Sequence, residues 1–259
     1  MTSFRKILRS GQAVSGPIVN EIRAVGPIKS LALAGHDFIW LDMEHAMYNW
    51  ETIGTLVQFA RAIGITPLVR VTDLSYALIA RALDAGAIGV IVPRVESVDQ
   101  VREAVSCAFY PPIGRRGAGG EGRYGYERRT PSAGLEEVNG QTVVAVQIET
   151  MAAVDQIDAI AAVDGVDIVC VGPQDLSISL GLAGQFDHPT FVEAVEHVLR
   201  QVQAAGKAAG MVERDASRFG RWHHAGCRFY ACNTDVNMIF TTAQSDVQTL
   251  KALSGDRQE

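Results

Sequence analysis

The segment VVAVQIE at residues 143–149 is an apolar run that ends in a carboxylate. Two further segments share this pattern: FIWLDMEH at residues 38–45 and VDIVCVGPQD at residues 166–175. Buried parallel strands read as nearly continuous apolar runs, because helices cover both faces of such a sheet. In barrels built from parallel strands, the functional groups lie at the carboxyl ends of the strands. The pattern therefore indicates an α/β fold with acidic side chains gathered at one end.

The apolar runs alternate with segments of helical periodicity along the chain. Strands are predicted near residues 17–21, 37–43, 66–71, 88–92, 142–148, 166–171, 207–212 and 228–232. Helices are predicted near residues 27–34, 50–62, 74–85, 97–107, 151–162, 190–205, 215–225 and 235–253. Strand one is the least regular, because Pro17 and the polar pair Asn20-Glu21 interrupt it. Eight strand–helix units favour a single (β/α)8 TIM barrel domain over residues 1–259 rather than an open sheet.

Composition narrows the range of functions. The chain has 259 residues, 47% of them hydrophobic, and a net charge of −6, which argues against nucleic acid or an anionic membrane surface as the main partner. No apolar stretch is long enough to span a bilayer, and the N-terminus lacks the apolar core of a signal peptide. The cysteines have no C-x-x-C spacing and are typical of reduced thiols, so we expect a cytoplasmic protein.

Two carboxylates follow neighbouring strands of the predicted barrel, Glu149 after strand five and Asp175 after strand six. Hard divalent cations prefer oxygen ligands and are often held by one or two carboxylates together with water. No cluster of His and Cys indicates a zinc site. The pair predicts a divalent-metal site, although either carboxylate alone would equally suit an ion pair or a helix cap.

Two further residues at the strand ends are candidates for a catalytic role. Arg70 closes strand three, and a buried guanidinium requires anionic partners. It would stabilise an oxyanion of a substrate, or form a structural ion pair with Asp42 or Glu44. His45 follows strand two beside these two acids, a position suited to proton transfer. A Schiff-base mechanism is not expected, because no lysine lies at the predicted active end of the barrel; the lysines are Lys6, Lys29, Lys207 and Lys251.

A long Gly- and Arg-rich loop interrupts the repeat between residues 111 and 129. Its arginines are Arg115, Arg116, Arg123, Arg128 and Arg129. Long loops in compact domains are usually functional or disordered, so this one is solvated, contacts another subunit, or binds an acidic substrate. If it reaches the active end, Arg123 and the strand-end residue Arg94 are expected to bind a carboxylate on that substrate.

Taken together, these residues resemble the HpcH/HpaI class II pyruvate aldolases over nearly the whole chain. The most specific motifs are Gln147-Ile148-Glu149-Thr150 and Gly172-Pro173-x-Asp175-Leu176-Ser177; weaker matches are Asp42-x-Glu44-His45, Val69-Arg70, Leu83-Asp84-x-Gly86 and Tyr110-Pro111-Pro112-x-Gly114. The resemblance implies a divalent-metal-dependent aldolase. It would reversibly cleave a 4-hydroxy-2-oxo acid, through an enolate, to an aldehyde and pyruvate or a related 2-oxo acid.

The resemblance also implies roles for single residues. In the family, the residues that match Glu149 and Asp175 bind Mg²⁺, Mn²⁺ or Co²⁺. The residue that matches His45 is the acid/base, and the one that matches Asp84 raises its basicity. The counterpart of Arg70 stabilises the enolate. Each of these roles is an expectation for this chain.

Substrate contacts and an assembly follow from the same resemblance. The implied substrate-binding residues are Gln147, Gly172, Pro173, Gln174 and Asp175. Members of the family are barrels that exchange their last helix between subunits. The resemblance therefore implies a homo-oligomer, a hexamer arranged as a trimer of dimers.

The chain departs from the family pattern where the aldehyde would bind. Residues 17–21 read PIVNE where members are usually Gly-rich and apolar with an aromatic residue, and residues 233–235 read NTD where members have Gly-Val-Asp. Arg94 and the Arg-rich loop are similar to the macrophomate-synthase branch, which decarboxylates oxaloacetate to the same enolate. A 2-oxo acid decarboxylase is therefore the main alternative function. A CoA-ester lyase and a non-catalytic barrel are further alternatives.

Overall fold

The chain folds into a closed barrel of parallel strands in the order β1 to β8, seen in a computed structural model that describes residues 3–128 and 130–253. The strands are β1 (Val14–Val19), β2 (Phe38–Asp42), β3 (Thr66–Arg70), β4 (Gly89–Val92), β5 (Val143–Ile148), β6 (Ile168–Val171), β7 (Ala208–Glu213) and β8 (Phe229–Thr234). Strand β8 pairs with β1 and closes the barrel. The predicted (β/α)8 TIM barrel is confirmed.

Helices follow the strands and cover the outside of the barrel. They are α1 (Phe4–Arg9), α2 (Val25–Leu33), α3 (Trp50–Ile63), α4 (Tyr76–Asp84), α5 (Val98–Ala108), α6 (Pro131–Gln141), α7 (Met151–Val154), α8 (Ile157–Ala161), α9 (Pro173–Ser179), α10 (Pro189–Ala204), α11 (Phe219–His224) and α12 (Asp235–Leu253). The single helix predicted near 151–162 is thus two short helices. In the described part of the chain, no helix combines the length and the apolar character needed to cross a bilayer.

Local signals in the sequence explain where the longer helices begin and end. The Asn49 side chain accepts a hydrogen bond from the Thr52 N–H at the start of α3, and Gly64 ends this helix in the left-handed conformation with φ 86°. A reciprocal capping box between Ser97 and Gln100 starts α5. Helices α1, α6 and α9 were not predicted. Helix α1 has only six residues, too few to show a helical period, and α6 directly follows the Gly-rich loop.

Strand β1 begins at Val14, earlier than the predicted start near residue 17. Its pairing with β8 has an irregularity between Gly16 and Ile18, which accommodates Pro17. Gly16 is required here, because a Cβ atom would lie 2.2 Å from the Phe38 carbonyl oxygen. The polar residues that follow β1 form a turn, in which the N–H groups of residues 20–22 donate to the Asp235 carboxylate.

Aromatic side chains fill the interior near the amino ends of the strands. Phe38 stacks on Phe229 with ring centroids 4.4 Å apart, and Phe4 of α1 meets Phe38 edge-on at 6.0 Å. All three rings are buried. Arg5 anchors α1 by donating to Asp167 at 2.7 Å, just before β6. Helix α1 therefore closes the amino ends of the barrel.

Candidate active site

A cavity of about 180 Å³ opens at the carboxyl ends of the strands. Its walls bring together eight of the nine site residues predicted from the sequence: His45, Arg70, Gln147, Glu149, Gly172, Pro173, Gln174 and Asp175. These residues come from the ends of β2, β3, β5 and β6. The ninth, Asp84, does not line the cavity.

Arg70 is held at the base of the cavity by Asp42 of the neighbouring strand. Its Nε and Nη2 atoms donate to the two Asp42 carboxylate oxygens at 2.9 and 2.6 Å, a paired arrangement that fixes the plane of the guanidinium. Its Nη1 atom donates to Gln147 Oε1 at 3.3 Å. Burial alone would lower the pKa of Arg70, but the hydrogen bonds and negative charge of Asp42 raise it. Arg70 is therefore a permanently charged, rigidly placed cation.

Glu44 adds a second acid beside Arg70. Its Oε2 atom lies 3.0 Å from Arg70 Nη1, a charge contact without hydrogen-bond geometry. Its Oε1 atom lies 3.3 Å from Arg94 Nε. Burial raises the pKa of Glu44, while Arg70 and His45 act in the opposite direction. The backbone N–H of Glu44 donates to the Asp42 carboxylate. Asp42 therefore holds both the turn after β2 and the Arg70 guanidinium.

Glu149 is a buried carboxylate without a cationic hydrogen-bond partner among the described residues. Its oxygens accept from the Arg94 backbone N–H at 2.8 Å and from Gln147 Nε2 at 3.1 Å. Burial raises the pKa of Glu149 to about 7; the Arg94 N–H lowers it, and the charges of Glu44 and Asp175 raise it further. A backbone with φ 52° at Arg94 aims this N–H at the carboxylate. The site therefore concentrates negative charge in a buried place.

The residues around Glu149 suit a hard divalent cation. Carboxylate and amide oxygens are available as metal ligands, and a bound cation would stabilise the ionised form of Glu149, which burial and, to a lesser extent, neighbouring carboxylates disfavour. Gly172 keeps the space open, because a Cβ atom there would lie 2.4 Å from Glu149 Oε1. Within residues 3–128 and 130–253, no group of three or more His, Cys, Asp or Glu side chains is arranged to hold a metal ion. A metal here would thus depend on two carboxylates and on water or substrate.

His45 stands at the mouth of the cavity. Its side chain is 61% exposed, and its Nε2 atom lies 3.8 Å from Glu44 Oε2. The His45 backbone N–H points at Asp42 Oδ1 at 3.4 Å, so the same carboxylate that holds Arg70 also shapes the turn carrying His45. The imidazole can therefore exchange protons with both solvent and a bound molecule.

Asp84 and His45 of one chain lie at opposite ends of the barrel. It ends α4, and the C-terminal end of this helix is at the amino ends of the strands, whereas His45 follows β2 at their carboxyl ends. Its Oδ1 atom accepts from Arg116 Nη2 at 2.6 Å, and the Arg116 side chain is fully buried against the Tyr110 ring. Any contact between Asp84 and His45 therefore requires a second copy of the chain.

The described arginines of the long loop do not line the cavity. Arg115 pairs with Glu103 of α5, and Arg123 stacks on the Tyr124 ring with its Cζ atom 4.4 Å from the centroid. Arg129 lies outside the described residues. The condition on which Arg123 was expected to bind the substrate is therefore not met within one chain, because the loop packs along α4 and α5 instead of entering the cavity.

Arg214 and Asn20 are among the lining residues that the sequence analysis did not assign to the site. Arg214 directly follows β7, and Asn20 directly follows β1. A signal for both existed, since each comes one residue after a strand in a fold whose strand ends carry the chemistry. Asn20 was assigned to an interrupted strand instead, because the start of β1 was predicted too late.

Comparison with known proteins agrees with this geometry. The family model described as HpcH/HpaI aldolase/citrate lyase matches residues 26–241. The chain belongs to this family. A 4-hydroxy-2-oxo-heptane-1,7-dioate aldolase of Salmonella arizonae is 36% identical over 247 residues, which cover 94% of this chain and 92% of the relative. The predicted family and the predicted aldolase class of enzyme are therefore confirmed.

Solved structures of HpcH/HpaI relatives share the barrel. An HpcH/HpaI aldolase from Desulfitobacterium hafniense superimposes with a TM-score of 0.92 at 35% identity, covering 97% of each chain. Macrophomate synthase superimposes with a TM-score of 0.85 at 27% identity, covering 98% of this chain and 90% of the other. The aldolase barrel described here is thus similar to enzymes named for more than one reaction.

Proposed function

We propose that this aldolase reversibly cleaves a 4-hydroxy-2-oxo acid to an aldehyde and pyruvate, or a closely related 2-oxo acid. The observation that carries the proposal is the pairing of opposite charges at the base of one cavity. Arg70, fixed by Asp42, is joined through Gln147 to the buried carboxylate of Glu149. A cation beside an acidic pocket suits a substrate that develops negative charge on oxygen.

Glu149 and Asp175 are proposed to hold a divalent cation, Mg²⁺, Mn²⁺ or Co²⁺. When bound, such an ion supplies Lewis-acid polarisation of a 2-oxo group. The raised pKa of Glu149 and the space kept by Gly172 support this assignment. Water and the substrate would supply the remaining ligands of the cation, as is usual for Mg²⁺.

The chain's own groups account for the remaining steps. Gln147 and the segment from Gly172 to Asp175 bind and orient the 2-oxo acid. As the bond between C3 and C4 breaks, its electron pair forms the enolate, and the charge of Arg70 stabilises the enolate oxygen. His45 accepts the proton of the 4-hydroxyl group, which becomes the aldehyde carbonyl. Because Asp42 already fixes Arg70, little reorganisation is needed when this charge develops.

Decarboxylation of a 2-oxo acid such as oxaloacetate is the second candidate. It needs the same enolate-stabilising groups but no aldehyde pocket. The similarity of the fold to macrophomate synthase favours this candidate, and so does Arg94 at the end of β4, which pairs with Glu44 beside Arg70. Release of CO2 from oxaloacetate, compared with release of pyruvate from 4-hydroxy-2-oxo acids, separates the two reactions.

We also infer that the chain forms a homo-oligomer, in the form of a hexamer that exchanges its last helix. Helix α12 exposes large apolar side chains, among them Ile239 at 65% and Phe240 at 58%. Exposed apolar patches commonly mark protein interfaces. A second copy would also be the source of any Asp84 that approaches His45. The cysteines are free thiols, three of them buried, which supports a cytoplasmic location.

A coupled assay tests the proposed function. Pyruvate release is followed with lactate dehydrogenase across a panel of 4-hydroxy-2-oxo acids, with added Mg²⁺ or with excess chelator. We expect turnover of at least one acid with Mg²⁺ and none with chelator. Turnover of oxaloacetate alone would favour the decarboxylase. Failure to release pyruvate or CO2 from any of these acids would reject both candidates.

A further inference from the structure

We propose that Arg214 selects aldehydes that carry a carboxylate and is a specificity-determining residue of this site. The proposal rests on the proposed aldol chemistry and names the acceptor class. Arg214 directly follows β7 and lines the cavity. From the sequence, Arg94 and Arg123, but not Arg214, were candidates to bind a carboxylate on the substrate.

The position of Arg214 follows from the arrangement of the strands. Arg70, Gln147 and Glu149 come from β3 and β5, so the 2-oxo acid half of the substrate occupies that side of the cavity. Neighbouring strands β7, β8 and β1 form the facing arc, because β8 closes the barrel onto β1. The arc contributes polar and charged residues to the lining, Asn20, Glu213, Arg214, Asn233 and Thr234, together with the apolar Ile18 and Val212. The far end of the aldehyde half therefore faces a wall of mixed character in which Arg214 is the cation.

Arg214 is exposed to solvent at this end of the barrel, and no neighbouring acid among the described residues pairs with it. In the part of the chain that the structure describes, no ion pair or hydrogen bond engages its guanidinium. The adjacent acid, Glu213, is already engaged: Trp222 Nε1 donates to it at 2.9 Å, and Arg218 Nε lies 3.5 Å away. The Asp235 carboxylate is likewise occupied by the backbone N–H groups of residues 20–22. A ligand carboxylate can therefore pair with this guanidinium without displacing a protein partner.

The other arginines at this end of the barrel are committed elsewhere. Asp42 holds Arg70 through two hydrogen bonds. Arg94 lies 3.3 Å from Glu44, and its Nη2 donates to the Thr72 carbonyl at 3.3 Å. Binding a substrate carboxylate through either would break contacts that already exist. Arg214 can bind one without such a loss.

Two amide side chains extend the same wall. Asn20 Oδ1 is buried without a hydrogen-bond partner in the described chain, and a buried acceptor left unpaired is costly. Asn233 Oδ1 accepts from the Thr234 N–H at 2.8 Å and from Asn237 Nδ2 at 2.7 Å, which leaves the Asn233 amide N–H groups as donors. The Asn233 N–H groups suit a ligand carboxylate, whereas the Asn20 acceptor requires a donor such as water or a hydroxyl group.

The test compares two aldehydes of equal chain length, succinic semialdehyde and butanal, as acceptors for pyruvate. Arg214→Gln removes the charge, Arg214→Lys retains it, and Arg200→Gln on the outer face of α10 is the control for a simple change of net charge. We expect Arg214→Gln to raise the KM for succinic semialdehyde by roughly ten- to hundred-fold, the loss of one charge-assisted hydrogen bond. The KM for butanal should stay within about twofold in every variant, and Arg214→Lys should recover most of the preference.

Exchange of pyruvate methyl protons with solvent, measured without aldehyde, distinguishes a failure of the Arg214 proposal from a failure of the proposed aldol chemistry. If wild type and Arg214→Gln exchange equally and only the acidic acceptor suffers, the proposal holds. If exchange is normal but Arg214→Gln affects both aldehydes equally or neither, or wild type shows no preference for the acidic aldehyde, the proposal is overturned and the aldol chemistry stands. If wild type neither exchanges these protons nor cleaves any 4-hydroxy-2-oxo acid, the proposed function itself fails.

Discussion

Both ends of the barrel hold a buried arginine–aspartate pair, but only the pair at the carboxyl ends lies beside the candidate active site. At the amino ends, Arg5 donates to Asp167 at 2.7 Å and to the Asn139 carbonyl at 2.9 Å. At the carboxyl ends, Arg70 donates to Asp42 at 2.6 and 2.9 Å. Each guanidinium also lies over an aromatic ring. A buried ion pair is therefore not by itself a sign of function.

The two ends differ in their balance of charge. Asp167 has two cations near it, since Arg9 lies 3.6 Å away in addition to Arg5. Arg70 instead faces an excess of acids, among them Glu44 and the buried Glu149. The amino end is thus internally neutralised, which suits a structural contact. The carboxyl end concentrates unneutralised carboxylates beside an open cavity, which suits the binding of a cation and an anionic substrate.

The largest expected effect comes from removing the cation at the carboxyl end. Arg70→Ala should abolish both aldol cleavage and pyruvate proton exchange, a loss on the order of 10³-fold, because both reactions need the enolate. Arg70→Lys keeps the charge but not the paired hydrogen bonds, so we expect it to fold and still lose most of the activity. Steady-state kinetics and proton NMR measure the two reactions. Retention of exchange in Arg70→Ala would remove Arg70 from enolate stabilisation.

A smaller and more selective effect is expected at the mouth of the same cavity. His45→Ala should slow cleavage about 100-fold, since general acid–base catalysis contributes on this scale, and should largely spare pyruvate proton exchange. The reason is that the His45 proton belongs to the aldehyde half of the reaction. The two rates are compared in the same preparation. Equal losses in both assays would refute this division of roles between His45 and Arg70.

The matching change at the amino end should affect stability and not chemistry. Arg5→Lys keeps the charge opposite Asp167 but loses the hydrogen bond to the Asn139 carbonyl. We expect the free energy of unfolding to fall by about 1–2 kcal/mol, measured by denaturant titration, with kcat unchanged. A large loss of kcat in Arg5→Lys, at full stability, would break the distinction between the two ends.

The pH dependence of metal binding should report the excess of acid at the carboxyl end. The pKa of Glu149 is raised to about 7 by burial, so this carboxyl is protonated below pH 7 and must lose its proton to bind a cation. Affinity for Mn²⁺ should therefore fall about tenfold from pH 8 to pH 6, as measured by titration calorimetry. The residual affinity of Glu149→Gln should lack this dependence. A constant affinity over this range in wild type would contradict the assignment.

The sequence was sufficient to predict the barrel and to choose eight residues that line one cavity, because both depend on local patterns. The run that forms β5 ends in Glu149, and this much is readable without a structure. The ion pair between Asp42 and Arg70 was only one of the alternatives that the sequence left open for Arg70. It depends on the register that pairs these two residues across β2 and β3. The carboxyl-end position of Arg214 was readable in principle, but nothing in the local pattern showed that Glu213 is occupied by Trp222.

Longer-range features escaped prediction for a different reason. The late start predicted for β1 followed from Pro17, whereas the close contact of Gly16 with Phe38 shows why the strand tolerates it. The pairing of Asp84 with Arg116 depends on the path of a long loop that has no periodicity. The roles of the site residues, the hexamer, the identity of the metal, the single-domain boundary and the cytoplasmic location stay predictions.

The central claim is that the acidic carboxyl end of the barrel forms an enolate from pyruvate with the help of a divalent cation. Proton NMR of pyruvate in D₂O tests this without any aldehyde. We predict that the methyl signal is lost with enzyme and Mg²⁺, that excess chelator stops the loss, and that further Mg²⁺ restores it. Exchange at an undiminished rate in chelator, or a covalent pyruvate adduct trapped by borohydride, would contradict the account.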